Sequence, residues 1–222
     1  MIPALDESRS LPLVLADLPV GVARDVVVVD NGSTDGTAGV AAALGCVVVS
    51  EPRRGYGRAC LAGIRHLAAA ERPPDAVVFL DADHSDHGEE LPSILAPLLA
   101  GRADLVIGSR TLGAQEPGAL LPQQRFGNAL AAFLIRRLYG VFVSDLGPFR
   151  AIRWDALVGL GMADAGYGWT AEMQVKALKA GLRYVEVPVS YRRRAGRSKI
   201  AGTLKGTIGA GVKILYTVFR YA

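Results

Sequence analysis

The sequence predicts a single α/β domain with a Rossmann-like, mostly parallel central sheet and helices on both faces. Short, valine-rich apolar runs alternate with helical segments along the first half of the chain. Uninterrupted apolar runs of this kind are typical of strands that are covered on both sides. Half of the 222 residues are hydrophobic and 21% are charged, so the chain can bury a sizeable core and is too apolar for intrinsic disorder.

The elements of the first half follow from these runs. Strands are predicted at residues 25–30, 46–50, 76–81 and 104–108, with helices at 37–44, 58–70 and 89–99 between them. Because each helix connects two strands, the series is a succession of βαβ units with helices packed on both faces of the sheet.

The second half is predicted to be less regular. After a loop-like stretch at 111–121, we expect a helix at 123–139, a strand at 141–144, a helix at 170–180 and a strand at 184–191. A basic run follows at 192–199. A final helix would then place five apolar residues on one face, namely Leu204, Ile208, Val212, Leu215 and Phe219.

Composition excludes several classes of protein. The two cysteines, Cys46 and Cys60, are too few for a disulfide framework or a four-cysteine zinc site. No apolar window is long enough to predict a membrane-spanning helix, and the charged residues near Met1 are unlike a secretory signal. We therefore expect a cytoplasmic enzyme or binding protein.

The charges are distributed unevenly between the two halves. Residues 1–110 hold 15 Asp/Glu against 9 Lys/Arg, whereas residues 111–222 hold 6 against 16. An acidic half suits a divalent cation, and a basic half suits an anionic partner such as a phosphate or a membrane surface.

Polar residues gather where the predicted strands end. In open α/β sheets, ligands bind outside the carboxyl ends of the strands. Here those ends carry Asp30, Glu51, Asp81 and the pair Ser109–Arg110. The motif Asp81-Ala82-Asp83 offers two carboxylates at a strand-to-loop transition, and hard oxygen ligands of this kind hold Mg²⁺ or Mn²⁺ beside substrate phosphates.

Two further segments belong to the predicted crevice. Asp30 ends a strand and can accept hydrogen bonds from a nucleobase or ribose. The glycine-rich stretch Arg54-Gly55-Tyr56-Gly57-Arg58 can bind a nucleotide diphosphate through backbone amides at a helix N-terminus. It also resembles a dinucleotide-binding turn, although it does not follow the first strand and Cys60 replaces the final glycine.

Eight short motifs in order resemble the family-2 glycosyltransferases of the GT-A fold. They are IPALDE (2–7), VVVVDNGSTDGT (26–37), RGYGRA (54–59), FLDAD (79–83), VIGSR (106–110), DLGPFRAI (145–152), YGWTAEMQ (167–174) and GRSK (196–199). The resemblance is strongest to dolichyl-phosphate mannosyltransferase and related polyprenyl-phosphate glycosyltransferases. Each motif alone is weak, but together they occur in order from Ile2 to Lys199, a span of nearly the whole chain.

The resemblance implies roles for individual residues. Pro3, Leu5, Glu7 and Asp30 would hold the nucleobase and ribose, and Arg54 would lie near the donor. Within the Asp81-Ala82-Asp83 motif, Asp81 and Asp83 would bind the metal that bridges the donor diphosphate. Arg110 would recognise phosphate, and Lys199 would lie in a basic loop that closes over the site.

Three departures from the family pattern bear on these roles. Family members have a complete strand before the IPA segment, of which only Met1 and Ile2 remain here, and Asp6 replaces the usual asparagine. Pro148 stands where some polyprenyl-phosphate glucosyltransferases carry an aspartate proposed as the catalytic base. Asp145 and Glu172 remain as candidates, although an anionic phosphate acceptor needs no strong base.

The sequence therefore predicts an inverting, metal-dependent transferase that moves a hexose from a UDP- or GDP-sugar to an acceptor, with polyprenyl phosphate as one candidate. Residues 1–199 would form the catalytic domain, in which 1–110 bind nucleotide sugar and metal and 111–199 bind the acceptor. Residues 200–222 would form an amphipathic helix that either contacts an anionic membrane as a peripheral anchor or packs in the core or a homodimer. A sugar-nucleotidyltransferase and a non-enzymatic anion- or nucleic-acid-binding module remain as alternatives. If the protein is the transferase, we expect it to have no nucleic-acid partner.

Overall fold

A computed structural model describes residues 1–196 and 204–221, with the backbone alone at 204–208 and 210. The strands are β1 (Ile2–Ala4), β2 (Val27–Asp30), β3 (Val47–Ser50), β4 (Ala76–Phe79), β5 (Leu105–Ser109), β6 (Arg150–Arg153) and β7 (Tyr184–Pro188). The helices are α1 (Leu11–Ala16), α2 (Thr37–Ala43), α3 (Tyr56–Ala68), α4 (Leu91–Leu99), α5 (Pro122–Tyr139), α6 (Trp154–Gly159), α7 (Trp169–Lys179) and α8 (Leu204–Tyr221).

The central sheet has two ladders that meet at Met1. Strands β1, β2 and β3 pair in parallel, with β2 in the middle. The second ladder runs β4-β6-β5-β7, in which β6 is antiparallel to both neighbours and β5 is parallel to β7. The Met1 amine donates to the Val78 carbonyl (2.7 Å), and the Leu80 amide donates to the Met1 carbonyl (3.2 Å). This is the hydrogen-bond pattern of a parallel pair, so β1 continues the sheet into β4.

Helices cover both faces of the sheet, as predicted. Along β2, Val28 belongs to a core cluster that includes residues of α1, α2 and α4, whereas Val27 and Val29 belong to a cluster with α3, α6 and α7. This alternation follows from the two-residue repeat of a strand. A third cluster joins α5, α7 and α8 through residues such as Ile135, Val175 and Val218, so the last helix packs on the second half of the same body.

Most predicted elements are present within three residues of their expected bounds, but one predicted strand is absent and four short elements were not predicted. No strand forms at 141–144: the amide of Ser144 donates to the Glu186 carboxylate instead of to a neighbouring strand. The strands β1 and β6 and the short helices α1 and α6 were not predicted as elements. Each has only three to six residues, too short for a hydrophobic period to be detected.

The final helix does not pack through the predicted apolar stripe. In its described part, Thr217 and Val218 are buried, whereas Val212 and Phe219 are 62% and 60% exposed. Leu215 is half-buried, and the side chains of Leu204 and Ile208 lie outside the described residues. Two members of the stripe therefore face away from the core.

Candidate active site

A cavity of about 400 Å³ opens at the carboxyl ends of β1 and β4. Seven of the residues predicted to bind donor or metal line it: Pro3, Leu5, Glu7, Arg54, Asp81, Ala82 and Asp83. Asp30 is not among the lining residues. It is buried at the end of β2 beside Ala4, and its carboxylate accepts the Ser33 amide (3.3 Å). The cavity lies where ligands bind in open α/β sheets.

The Asp81-Ala82-Asp83 motif concentrates negative charge in the cavity wall. Burial and the neighbouring Asp83 raise the pKa of Asp81 to about 7. Asp83 accepts the amide and the hydroxyl of Ser85 at 3.0 and 2.5 Å, and its other oxygen pairs with the Arg194 guanidinium at 2.9 Å. Asp86, buried close by, has one carboxylate oxygen without a hydrogen-bond partner among the described residues. A cation here would offset this crowding of carboxylates.

The two aspartates fit a divalent metal by their chemistry. Both offer hard carboxylate oxygens, and a positive group, Arg194, already lies against one of them. In the described part of the chain, no group of three or more His, Cys, Asp or Glu side chains is arranged to hold a metal ion. A cation at Asp81 and Asp83 would therefore take its remaining ligands from water and a bound diphosphate.

Hydrogen bonds join the loop after β2 to the segment after β1. The amide of Thr34 donates to the Asp6 carboxylate (2.7 Å), and the amide of Asp6 donates to the Ser33 hydroxyl (2.9 Å). Asp6 has a φ of 51°, a left-handed conformation that aspartate adopts more readily than most residues. These bonds hold Leu5 and Glu7 at the cavity.

Asn31 positions the glycine-rich turn that carries Arg54. It is 4% exposed, and its amide nitrogen donates to the carbonyls of Glu51 and Arg53, both at 2.9 Å. Its side-chain oxygen accepts the Gly55 amide at 2.8 Å. The turn is therefore built around a buried side chain, in a way that differs from a dinucleotide-binding loop.

Arg110 and Asp145 form a bidentate ion pair beyond the cavity. The guanidinium donates to both carboxylate oxygens at 2.8 and 2.7 Å, and the Arg110 amide adds a third bond at 2.7 Å. Asp145 is fully buried, and the guanidinium lies 5.0 Å from the centre of the Tyr191 ring. Although burial alone lowers the pKa of Arg110, the ion pair raises it overall. Asp145 thus orients Arg110, and both of its carboxylate oxygens already accept hydrogen bonds from that residue.

Glu172, the other predicted base, lies away from the cavity. It is fully buried, accepts the amides of Ala163 and Asp164 at 2.9 and 2.7 Å, and pairs with Lys176 at 2.8 Å. Through these contacts, Glu172 stabilises the segment before α7. Lys199 lies outside the described residues.

The cavity lining also includes Asn31, Tyr56, Tyr167 and Arg194, whose side chains were given no role from the sequence. Each belongs to a segment that was recognised, but nothing in the local pattern shows which of its side chains points inward. Tyr56 lies near Asp81, and burial raises the pKa of the Tyr56 phenol well above its usual value.

The sheet is open and carries paired carboxylates and a glycine-rich turn at its carboxyl edge. This combination is typical of α/β proteins that bind nucleotides. Comparisons with known proteins narrow that class. The model of glycosyl transferase family 2 matches residues 9–158. The chain therefore belongs to glycosyltransferase family 2.

Several individual proteins are similar over most of their length. An uncharacterised glycosyltransferase of Mycobacterium tuberculosis is 43% identical over 94% of this chain and 91% of its own. The undecaprenyl-phosphate mannosyltransferase of Micrococcus luteus is 35% identical over 93% of this chain and 88% of its own. Among solved structures, glucosyl-3-phosphoglycerate synthase of M. tuberculosis in complex with Mn²⁺ and UDP-glucose superposes with a TM-score of 0.75 at 25% identity, covering 99% and 77% of the two chains. The GT-A fold is thereby confirmed.

Proposed function

We propose that the protein transfers a hexose with inversion from a UDP- or GDP-sugar, with Mg²⁺ or Mn²⁺ at Asp81 and Asp83. The observation that carries this proposal is the placement of both aspartates in a cavity at the carboxyl edge of the sheet. The similar structure with bound Mn²⁺ and UDP-glucose supports it. Membership in a glycosyltransferase family favours it over a nucleotidyltransferase or an anion-binding module.

Different residues would have different roles in a direct displacement at the anomeric carbon. Pro3, Leu5 and Glu7 would bind the nucleoside, and Arg54 and Arg194 would contact the diphosphate. An acceptor oxygen would form a bond to the anomeric carbon while the bond from that carbon to the diphosphate breaks. A metal held by Asp81 and Asp83 would supply positive charge against the leaving nucleoside diphosphate.

Activity on a panel of nucleotide sugars tests this function. Purified protein with Mn²⁺ should release nucleoside diphosphate from a UDP- or GDP-hexose, and Asp83→Ala should reduce the rate by about 100-fold or more, since electrostatic stabilisation of this kind is worth several kcal/mol. The thermal midpoint without ligand should change little, because relief of the repulsion with Asp81 offsets the loss of the Ser85 hydrogen bonds and the Arg194 ion pair. Full activity in Asp83→Ala, or in excess EDTA, would sink the metal-dependent mechanism.

For the acceptor we propose a polyprenyl phosphate, with Arg110 recognising its phosphate. The similarity to an undecaprenyl-phosphate mannosyltransferase supports this choice. Arg110 is 12% exposed at its side chain and is held in one orientation by Asp145 and Tyr191. A planar, fixed guanidinium suits a phosphate better than a mobile lysine does.

A lipid acceptor requires contact with the bilayer, and the outer faces of α5 and α8 fit an anionic surface. Phe126 and Phe133 on α5 are 70% and 60% exposed, seven residues apart on one helical face, and α8 exposes Val212 and Phe219. Neither helix contains an Asp or Glu, whereas together they carry six basic residues: Arg125, Arg136, Arg137, Lys205, Lys213 and Arg220. Each basic residue near an anionic bilayer adds about 1 kcal/mol of attraction. Of the helices in the described part, none is both long and apolar enough to span a membrane.

Vesicle sedimentation tests the peripheral-membrane proposal. The protein should bind vesicles with anionic lipid at low salt, less at high salt, and neutral vesicles weakly. Replacing both Phe126 and Phe133 with serine should weaken binding on the order of tenfold. The matched control is Leu99→Ser, which alters an 81% exposed leucine on α4 in the acidic half.

Two outcomes would overturn this proposal. Equal absence of binding to both kinds of vesicle would favour a water-soluble acceptor. A protein dimer in solution that is lost in the double phenylalanine variant would show that a second copy of the chain covers this surface.

A further inference from the structure

The segment 163–168 contributes one residue to the cavity proposed to bind the donor, hereafter the donor cavity. Tyr167 lines the cavity directly. The carbonyls of Ala165 and Gly166 accept the amides of Arg58 and Gly57 at 3.1 and 3.2 Å. The segment therefore also fixes the start of α3, where Gly55 and Tyr56 line the same cavity.

Helix α8 holds this segment from behind. The Lys213 ammonium pairs with the Asp164 carboxylate at 2.8 Å. The other oxygen of that carboxylate accepts the Gly166 amide at 2.7 Å. A Cβ atom at Gly168 would lie 2.3 Å from the Thr217 hydroxyl, so the segment and α8 are in close contact at a second point.

The ion pair is partly enclosed. The Asp164 side chain is 5% exposed, and that of Lys213 is 39% exposed. The fully buried Glu172 accepts the Asp164 amide, so a second carboxylate lies close by, with Lys176 as its own partner. Removing the Lys213 charge would leave an enclosed carboxylate uncompensated, and the segment would have to shift to hydrate it.

We propose that Lys213 is a positioning residue for the donor site: through Asp164 it holds segment 163–168, and with it Tyr167 and the glycine-rich turn, in the donor-binding arrangement. None of the described residues of α8 lines the cavity, so the effect passes entirely through the segment. This inference rests on the proposed use of a nucleotide-sugar donor. It makes the final helix part of the donor site as well as of the surface proposed to face the membrane.

The test compares Lys213→Met, Lys213→Arg and Arg220→Met in the full chain. Arg220 is the matched control, because it is an exposed basic residue of the same helix that does not contact Asp164. Calorimetry with UDP and GDP in the presence of Mn²⁺ should show binding about tenfold weaker in Lys213→Met, largely restored in Lys213→Arg, and unchanged in Arg220→Met. In turnover assays the donor KM should rise more than kcat falls.

Amide hydrogen exchange without ligand tests the positioning role of Lys213 independently of the proposed function. Without any ligand, Lys213→Met should exchange faster at 163–168 and at 55–58, while the thermal midpoint stays within a few degrees of the wild type. If wild-type protein binds neither nucleotide, the proposed donor is wrong and exchange alone decides the positioning role. Unchanged exchange in both segments, or wild-type nucleotide affinity in Lys213→Met, would overturn the inference.

Discussion

At the scale of single residues, Arg194 and the neighbouring carboxylates determine the charge of the cavity that we propose binds the donor. The Arg194 guanidinium lies 2.9 Å from the Asp83 carboxylate, and Arg194 lines the cavity where we propose that the diphosphate binds. A metal bound at Asp83, as we propose, would therefore compete with the Arg194 side chain for this carboxylate. A bound diphosphate would give the displaced guanidinium a new anionic partner.

Replacing Arg194 with glutamine should change metal and nucleotide binding in opposite directions. A partly exposed ion pair is worth about 1 kcal/mol, so the ligand-free variant should bind Mn²⁺ about fivefold more tightly, whereas UDP or GDP should bind more weakly. Electron paramagnetic resonance of free Mn²⁺ and calorimetry measure the two effects. Arg193→Gln is the control, because Arg193 contacts the Pro117 carbonyl and Glu116 instead of Asp83. Weaker Mn²⁺ binding in Arg194→Gln would contradict the competition.

Residue-level roles are the least predictable part of the site. Asp145 and Glu172 are candidate bases by sequence because they are acidic residues in recognised motifs. In the structure each carboxylate is already engaged, Asp145 by Arg110 and Glu172 by two amides and Lys176. Hydrogen-bond partners from distant segments cannot be read from a local motif.

Among the elements, the N-terminus of α3 depends most on a close backbone approach. A Cβ atom at Gly57 would lie 1.9 Å from the Asp164 carbonyl oxygen. This distance is far inside van der Waals contact, and the atom concerned belongs to the backbone, so it cannot move aside easily. The glycines of this turn are needed for contact with segment 163–168.

Gly57→Ala should therefore destabilise the fold and weaken nucleotide binding together. We expect a loss of about 2 kcal/mol in the free energy of unfolding, as for an overpacked core site, and donor binding reduced at least as much as in Lys213→Met. Gly39→Ala is the control, since Gly39 is an exposed glycine in α2 with no heavy atom within 4 Å of a new Cβ. That change should be neutral or stabilising by up to about 1 kcal/mol. Urea denaturation and calorimetry report both quantities, and a Gly57→Ala variant as stable as Gly39→Ala would refute the contact.

In the molecule as a whole, the acidic and basic halves meet at the cavity. The first half contributes Asp81 and Asp83, and the second contributes Tyr167 and Arg194. The basic outer surface of α5 and α8 belongs to the second half and is joined to the core by the cluster around Val218. One body thus carries both the proposed donor site and the surface proposed for the membrane.

The sequence alone determined the fold class and the region of the site. Strands that are covered on both faces require apolar residues throughout, so β2, β4 and β5 are visible as apolar runs. Strand β3 shows the same valine-rich run although it lies at the sheet edge and is partly exposed. The carboxyl ends of such strands meet at one edge, so the strand order along the chain is enough to place Asp81, Asp83 and Arg54 together. The order of eight motifs is enough to indicate the family.

Only the tertiary structure decided which side chains meet across the chain. Arg194 reaches Asp83 from 111 positions away, Lys213 reaches Asp164, and the final helix turns Val212 and Phe219 outward. The helical repeat marks an apolar stripe but not the neighbour that covers it. Long-range ion pairs depend on how the helices pack, and packing is a property of the whole folded chain rather than of any local run of residues.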